Sequence, residues 1–478
     1  MLAFAGLERT GTGRGIFRAT SLRPGIALMP SHEPSLPTSN DLQNVVAEML
    51  KKAQRRGASA AEASIGRGVG MSVTVRMGDV ETVEHNRDKG LGLTVYIGQR
   101  KGSASTSDFS PAALDDTVET AWQIASHGGT DDCAGLADPE HMAHTYPDLD
   151  LHHPWSLEAD AAIDLALAAE NAARGTDARI TNSEGASVGT HASERVYGNT
   201  HGFIGAYATT RHSLSSVVIA EQDGAMQRDY WYTSARLPSE LEAPDVVGVR
   251  SAERAVRRLG GRQVPTAKVP VLYSAEISSG LVGHLIGAIS GGSVYRKASF
   301  LVDHLGKSVF PADVRISEHP LMARAMGSAP FDAEGVATRS RDLVSGGVLE
   351  SYVLSSYSAR KLGLVTTGNA GGVRNVTITK GSEDAPDLAT LLKTMGTGLY
   401  VTELIGMGVN TVTGDYSRGA SGFWVENGEL IHPVEEITIA GNLRDMFLGI
   451  AAVGGDVDRR GNIHSGSILI EEMTLAGQ

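Results

Sequence analysis

The stretch MSVTVRMGDVETVEHNRDKGLGLTVYIGQRKGSAST, residues 71–106, decides the class of fold. It divides into four extended runs, 71–77, 80–86, 91–97 and 100–106, in which Val, Thr, Ile or Tyr alternate with polar residues. Turn formers such as Gly78-Asp79 and Gly98-Gln99 separate them, so each run reads as a short strand. Just before them, DLQNVVAEMLKKAQRRG (41–57) repeats apolar residues at 42, 45, 46, 49 and 50. That spacing predicts a helix with one apolar face, capped by Asp41 and stopped by Gly57. Just after them, Ser110-Pro111 opens a second helix to about 126, with serine at the cap and proline in the first turn.

Outward from this unit the same alternation repeats. Residues 127–155 carry Pro139, Pro147 and Pro154 and no sustained period, which reads as a linker. A capped helix is expected over 156–174, strands over 178–233, and a polar helix near 246–259 ending at Gly260-Gly261. Val269–Tyr273 reads as a buried strand, followed by an alanine- and glycine-rich helix at about 275–289 and then many short strands. The expected class is α+β. The divisions are a poorly ordered tail at 1–38, an amino-terminal domain at 39–130, a linker at 131–155, a central domain at 156–264, and a glycine-rich, mainly β domain at 265–478.

Composition removes several function classes. The 478 residues hold 42 Lys+Arg against 55 Asp+Glu, a net charge of −13, which disfavours general binding to nucleic acid or an anionic membrane. A single cysteine, Cys133, excludes an intramolecular disulfide framework and any multi-cysteine metal site. No apolar run approaches the ~18 residues that span a bilayer, and no secretory-type apolar segment opens the chain, so the cytoplasm is the expected compartment.

The motifs are sparse. No two of the fifteen histidines lie four or five apart, so the helical zinc-hydrolase signature is absent. His141, His144, His152 and His153 cluster in the linker, where they read as solvated polar residues rather than a loop metal site. Gly185-Ala186-Ser187-Val188-Gly189 matches a nucleophile elbow in letters, but no apolar strand precedes it and no helix follows, so it reads as turn chemistry. Gly368-Asn369-Ala370-Gly371-Gly372 lacks the Gly-Lys-Ser/Thr ending of a phosphate loop and reads as a sharp loop beside a cleft. Asn369, Gly371, Gly372 and Asn375 are therefore candidate peptide-contact residues.

Longer strings carry a resemblance. Residues 90–125 and DDCAGLADPE (131–140) resemble the amino-terminal domain of the TldD/PmbA metallopeptidase family. ISGGSVYRKASFLVDHLGKSVF (289–310), GSAPFDAEGVAT (327–338), YSARKLGLVTTGNAGG (357–372) and YSRGASGFWVENGELIHPVEEITIAGNL (416–443) resemble its PmbA/TldE branch. The resemblance implies a heterodimer with a TldD-type subunit that encloses a cavity and cleaves extended, unfolded peptides, including antitoxins and peptide-antibiotic precursors. In the TldD branch a helical His-Glu-x-x-x-His and a later cysteine hold zinc. Aligned on Arg296-Lys297, the two histidine positions fall on Gly283 and Ala288 and the glutamate position on His284, and no cysteine follows Cys133. The resemblance therefore implies that this chain binds no zinc or other cofactor and has no catalytic residue of its own, the Zn2+ residing in the partner. Bulky residues at Gly283 or Ala288 are expected to cost about 1–3 kcal/mol where packing is tight. Self-pairing of the isolated chain, a self-sufficient hydrolase with scattered ligands, and a non-enzymatic peptide-binding module stay open.

Overall fold

The apolar stripe of residues 41–57 becomes α1 (Ser39–Arg55), with Leu42, Val46, Met49, Leu50 and Ala53 buried. In the computed structural model, which describes residues 39–381 and 384–477, the helix starts before Asp41, so Asp41 sits in the first turn rather than at the cap. The tail expected at 1–38 lies outside the described residues.

The four extended runs form three strands, β1 (Ala60–Arg76), β2 (Asp79–Ile97) and β3 (Arg100–Thr106). The runs 80–86 and 91–97 merge because β1 pairs with β2 from Ala60↔Tyr96 to Arg76↔Asp79, with one register shift between Thr74 and Val75. Backbone pairing carries the chain through Arg87–Gly90, where side-chain pattern alone suggests a break; every residue from Asp79 to Gly90 is exposed. α2 (Pro111–His127) follows, and the Ser110 hydroxyl accepts from the Ala113 N–H at 3.4 Å.

The segment read as a free linker is a strap fastened to the fold. Leu136, Met142, Leu149 and Leu151 are buried. α3 (Ala159–Thr176) begins later than expected, at a Glu158 cap that makes no side-chain bond. Then come β4 (Ile180–Asn199), β5 (Ile204–Gln222), β6 (Ala225–Ala235) and α4 (Pro244–Arg257).

These six strands make one antiparallel sheet in the order β3-β2-β1-β4-β5-β6. Strands expected of two domains are thus joined through β1 and β4, from Glu62↔Asn199 to Val75↔Ala186. Alternate β1 residues face the helices: Ala61, Ala63 and Ile65 pack with α1 and α2, and Met71, Val73 and Val75 with α3 and Val247 of α4. The opposite face carries Gly66, Gly68 and Gly70, paired with Arg195, Ser193 and His191 of β4.

The rest of the chain starts with β7 (Ala267–Tyr273), α5 (Ala275–Ala288) and the short α6 (Gly291–Tyr295). A five-stranded sheet runs β10 (Val348–Leu349), β9 (Arg341–Ser345), β8 (Val314–Glu318), β11 (Val376–Lys380), β16 (Ile463–His464), with α7 (Ser356–Leu362) in the intervening chain. Beyond α8 (Leu388–Met395) lie β12 (Gly398–Ile405), β13 (Asp415–Glu426), β14 (Glu429–Asn442), α9 (Leu443–Leu448), β15 (Ile450–Val453) and β17 (Ile468–Ala476). Their order is β14-β13-β12-β7-β17-β15, and β17 also pairs with β14, so five of these strands close on themselves. α5 packs Leu281, Val282, Leu285 and Ala288 into the largest core. The architecture is α+β with a mainly β carboxyl-terminal part. Among the described residues no helix is long and apolar enough to cross a membrane.

β3 lies close under α2. A Cβ on Gly102 would stand 2.2 Å from the Ala121 carbonyl oxygen and 2.3 Å from the Ala125 nitrogen, both helix backbone. Gly102→Ala should therefore cost about 2–3 kcal/mol, read as a lower urea midpoint. Gly66→Ala, whose Cβ meets nothing within 4 Å, should change it by less than about 0.5 kcal/mol.

Candidate functional site

The helix α5 holds the three positions that the family resemblance marks. Gly283 is half-buried, and a Cβ built there meets nothing within 4 Å. Ala288 is wholly buried in the core beside Leu285 and Ile289. Only His284 has a donor. Its ring meets Tyr416 edge-on, with centroids 5.8 Å apart at 76°. Burial, then the nearby Arg418 guanidinium, lower its pKa and favour the neutral ring. One donor, one position open to space and one core methyl do not supply the three protein ligands that zinc takes at the least. The packing expectation changes too: Ala288 is tightly enclosed, whereas Gly283 has room.

A pocket of about 340 Å³ lies along Glu276, Ser279 and Gly280 of α5. Its charges are largely matched, Arg254 with Asp229 at 3.1 Å and with Glu276 at 3.2 Å, and Arg258 with Glu403 at 2.5 Å.

The linker histidines are dispersed. His144 packs edge-on to Phe203. His153 Nε2 reaches an Asp150 carboxylate oxygen at 3.0 Å. Among the described residues, the only trio of close metal-capable side chains is Asp138, Glu140 and His141, and Asp138 already takes Arg360 Nη2 at 3.0 Å. Residues 185–189 lie inside β4, with a bulge between Ser183 and Gly185 and the Ser187 hydroxyl 2.8 Å from that of Thr74. They are bulged strand, not the turn that the letters suggest. Gly185 has φ +110, and a Cβ there would sit 2.4 Å from the Val75 oxygen.

The glycine loop is held from behind by buried carboxylates. Asn369 Nδ2 donates to Glu318 Oε1 at 2.8 Å, and its Oδ1 accepts from Arg341 Nη2 at 2.6 Å. Glu318 also accepts from the Arg374 N–H at 2.7 Å and from Arg341 Nε at 3.0 Å. Asp332 accepts from the N–H groups of Glu334, Val336 and Ala370 at 2.8, 3.0 and 2.9 Å. Even so, burial and then Glu334 raise its carboxyl to about 6. Asn375, at φ +46, accepts from the Gly327 N–H at 2.9 Å and donates to the His319 carbonyl and the Ser328 hydroxyl. Asn369 and Asn375 are thus spent on internal bonds, and Gly371 faces open space with Val373 and Arg374.

That space is a cavity of about 710 Å³ between the loops 326–329, 371–374 and 460–462 and the helix-free face of the sheet. A second recess, about 490 Å³, shares His191, Ser193 and Arg195 with it and runs over Gly66 and Gly68 to Asp88–Gly90 of β2. The His191 ring covers the bare strand, since a Cβ on Gly68 would lie 2.8 Å from its Cε1. Of the four candidate contact residues read from the sequence, Gly371 lines this trough and Asn369, Gly372 and Asn375 do not; the sheet side was not anticipated. The available signal was Gly66-Arg67-Gly68-Val69-Gly70, alternate glycines that strip one face of a strand.

An α+β chain whose mainly β carboxyl-terminal part carries α5, together with a trough that starts at a strand edge, invites comparison with the class of metallopeptidase-family chains. Models of the PmbA/TldA metallopeptidase match it as domain 1 at 61–125, central domain at 152–259 and C-terminal domain at 266–477. The chain belongs to that family, and within it to the PmbA/TldE type. It is 51% identical to Metalloprotease PmbA of Escherichia coli O157:H7 over 437 residues, covering 91% of this chain and 96% of that one. A Metalloprotease PmbA homolog of Haemophilus influenzae is 47% identical over the same shares, and that organism's Metalloprotease TldD homolog is 24% identical over 77% and 79%. Among solved structures, a Bacteroides thetaiotaomicron protein described as a candidate modulator of DNA gyrase superposes with TM-score 0.86 at 27% identity, covering 93% of this chain and all of that one. TldE of Thermococcus kodakarensis shares the fold at TM-score 0.77 and 18% identity, over 91% of this chain and all of that one.

The raised Asp332 carboxyl gives a pH test. The folded chain holds this proton more tightly than the unfolded chain does, with a carboxyl at about 6 against an ordinary 3.8, so ionisation opposes folding as pH rises through that window. Asp332→Asn, which keeps an acceptor for Glu334 and Val336, should flatten the fall in urea midpoint between pH ~4 and ~6 relative to wild type. Parallel curves for the two proteins would show that Asp332 does not titrate there.

Proposed function

We propose that this chain is the zinc-free subunit of a two-subunit metallopeptidase of the cytoplasm. It pairs with a TldD-type subunit that carries the zinc, and it handles extended, unfolded peptides such as antitoxins or peptide-antibiotic precursors. The observation that carries this reading is α5, where Gly283 and Ala288, which carry no donor atom, stand at the positions that the family resemblance marks for ligands. The sheet supports the peptide-handling part. From Asp79 to Gly90, β2 pairs only with β1 and presents its other edge to solvent at the mouth of the trough. An extended peptide can add to such an edge through main-chain hydrogen bonds, which are indifferent to side chains and suit substrates of varied sequence. In this chain the work is binding and alignment; the bond-breaking chemistry belongs to the partner, whose zinc supplies a polarised carbonyl and a hydroxide.

The pure chain should therefore carry well below one zinc per molecule by metal analysis and cleave an unfolded casein substrate only after mixing with a TldD-type chain. Stoichiometric zinc on the isolated chain, or cleavage without the partner, overturns the reading. His284→Ala should leave turnover of the mixed complex within a few-fold. A loss on the order of a thousand-fold would place His284 in a unified catalytic set.

A further inference from the structure

The trough has one property that the peptidase reading does not require: the 710 Å³ cavity is lined by arginines and by no aspartate or glutamate. This occurs in a chain whose net charge is −13. Of the five arginines, Arg460 is matched by Asp458 through two bonds at 2.9 and 2.8 Å. The other four, Arg195, Arg211, Arg236 and Arg374, form no ion pair with a carboxylate among the described residues. Arg236 is 5% exposed, and its guanidinium is gripped only by carbonyl oxygens, those of Thr210 and Met326 at 2.8 Å and of Ala325 at 3.3–3.4 Å. Arg374, 8% exposed, has one carbonyl contact, to Gly372 at 3.0 Å. Carbonyl dipoles orient a guanidinium but leave its charge in place, and a desolvated charge lacking a counter-ion is costly. Arg195 makes no side-chain bond among the described residues, and Arg211 makes one, to the Ser234 hydroxyl at 3.1 Å.

The sheet sets the spacing. His191 pairs with Arg211 and Arg195 with Tyr207, so Arg195 and Arg211 share a face four residues apart in register, about 13 Å at ~3.3 Å per residue. Residues i and i+4 of an extended peptide share a face at the same separation.

We infer that this cavity is a recognition site for carboxylate groups of an extended peptide, acidic side chains four residues apart or a terminal carboxylate, read by Arg195 and Arg211 with the buried charges of Arg236 and Arg374 behind them. The inference rests on the peptide-handling reading and adds a substrate preference to it. Guanidinium–carboxylate pairs are planar and bidentate, and they gain strength in a partly dried recess. A nucleic-acid backbone is a poorer fit, because the deepest two arginines are covered and the chain as a whole repels polyanions.

The test is fluorescence anisotropy on the full chain, alone and with its TldD-type partner. The probes are three fluorescein-labelled Ser/Thr/Val peptides: one with two glutamates four residues apart and an amidated terminus, the same with glutamines, and the glutamine peptide with a free carboxyl terminus. Expected is binding about tenfold tighter for the glutamate or the free-terminus probe than for the amidated glutamine probe. That preference should shrink to within about twofold in Arg195→Gln, which removes no internal bond, and in Arg211→Gln. A response of the glutamate probe alone identifies side-chain carboxylates, and a response of the free-terminus probe alone identifies the terminal one; both support the site. Equal binding of all three probes, or an unchanged preference in both variants, overturns the site and leaves peptide handling standing. No binding of any probe to chain or complex overturns both.

Discussion

The pairing of β1 with β4 is the constraint on which the rest of the structure depends. Both strands are long, and their ladder from Glu62↔Asn199 to Val75↔Ala186 makes one surface from two helix-and-strand segments that lie far apart in the chain. Side chains alternate along a strand, so a slip of one residue would exchange its faces. Met71, Val73 and Val75 would then leave the helices for the helix-free face, while Gly66, Gly68 and Gly70 would turn toward the core. Burial of one face thereby fixes the chemistry of the other.

The carboxyl-terminal part supplies the opposite wall by a different device. Its loops carry few apolar side chains, and buried polar groups hold them instead. Glu318 alone ties Asn369, Arg374 and Arg341 together, and Asp332 anchors Ala370 from below. Inside a protein such bonds are stronger than in water, and leaving one unmade is expensive, so a loop held this way keeps a single shape. The strap residues join the same body through Asp131, which takes Tyr357 at 2.7 Å and Lys361 at 2.8 Å.

Much of this was legible in the sequence where local chemistry decides the outcome. The stripe at Leu42, Val46 and Met49, the Ser110 cap and the buried strand ending at Tyr273 all lie where period and capping put them. What local chemistry does not decide was missed. Arg87–Gly90 reads as a break because its residues favour turns, yet the β1 ladder keeps it extended. Residues 131–155 read as solvated because prolines interrupt the period, yet Leu136 and Met142 find long-range partners. At the candidate site, side-chain identity alone shows that Gly283 and Ala288 carry no donor atom, whereas their assignment as ligand positions comes from the family resemblance. The arginine-lined wall was not readable, because strand pairings and loops far apart in the chain assemble it.

The position of β7 between β12 and β17 bears on how the polypeptide is made. Tyr273 pairs with Ile468, so roughly two hundred residues must leave the ribosome after β7 before its second neighbour exists. At ~5–20 residues per second, the nascent strand waits on the order of 10–40 s with an edge uncovered. The chaperone demand of this protein should therefore centre on that interval, and slowing translation between β7 and β17 should raise its aggregation more than slowing it anywhere in the first sheet.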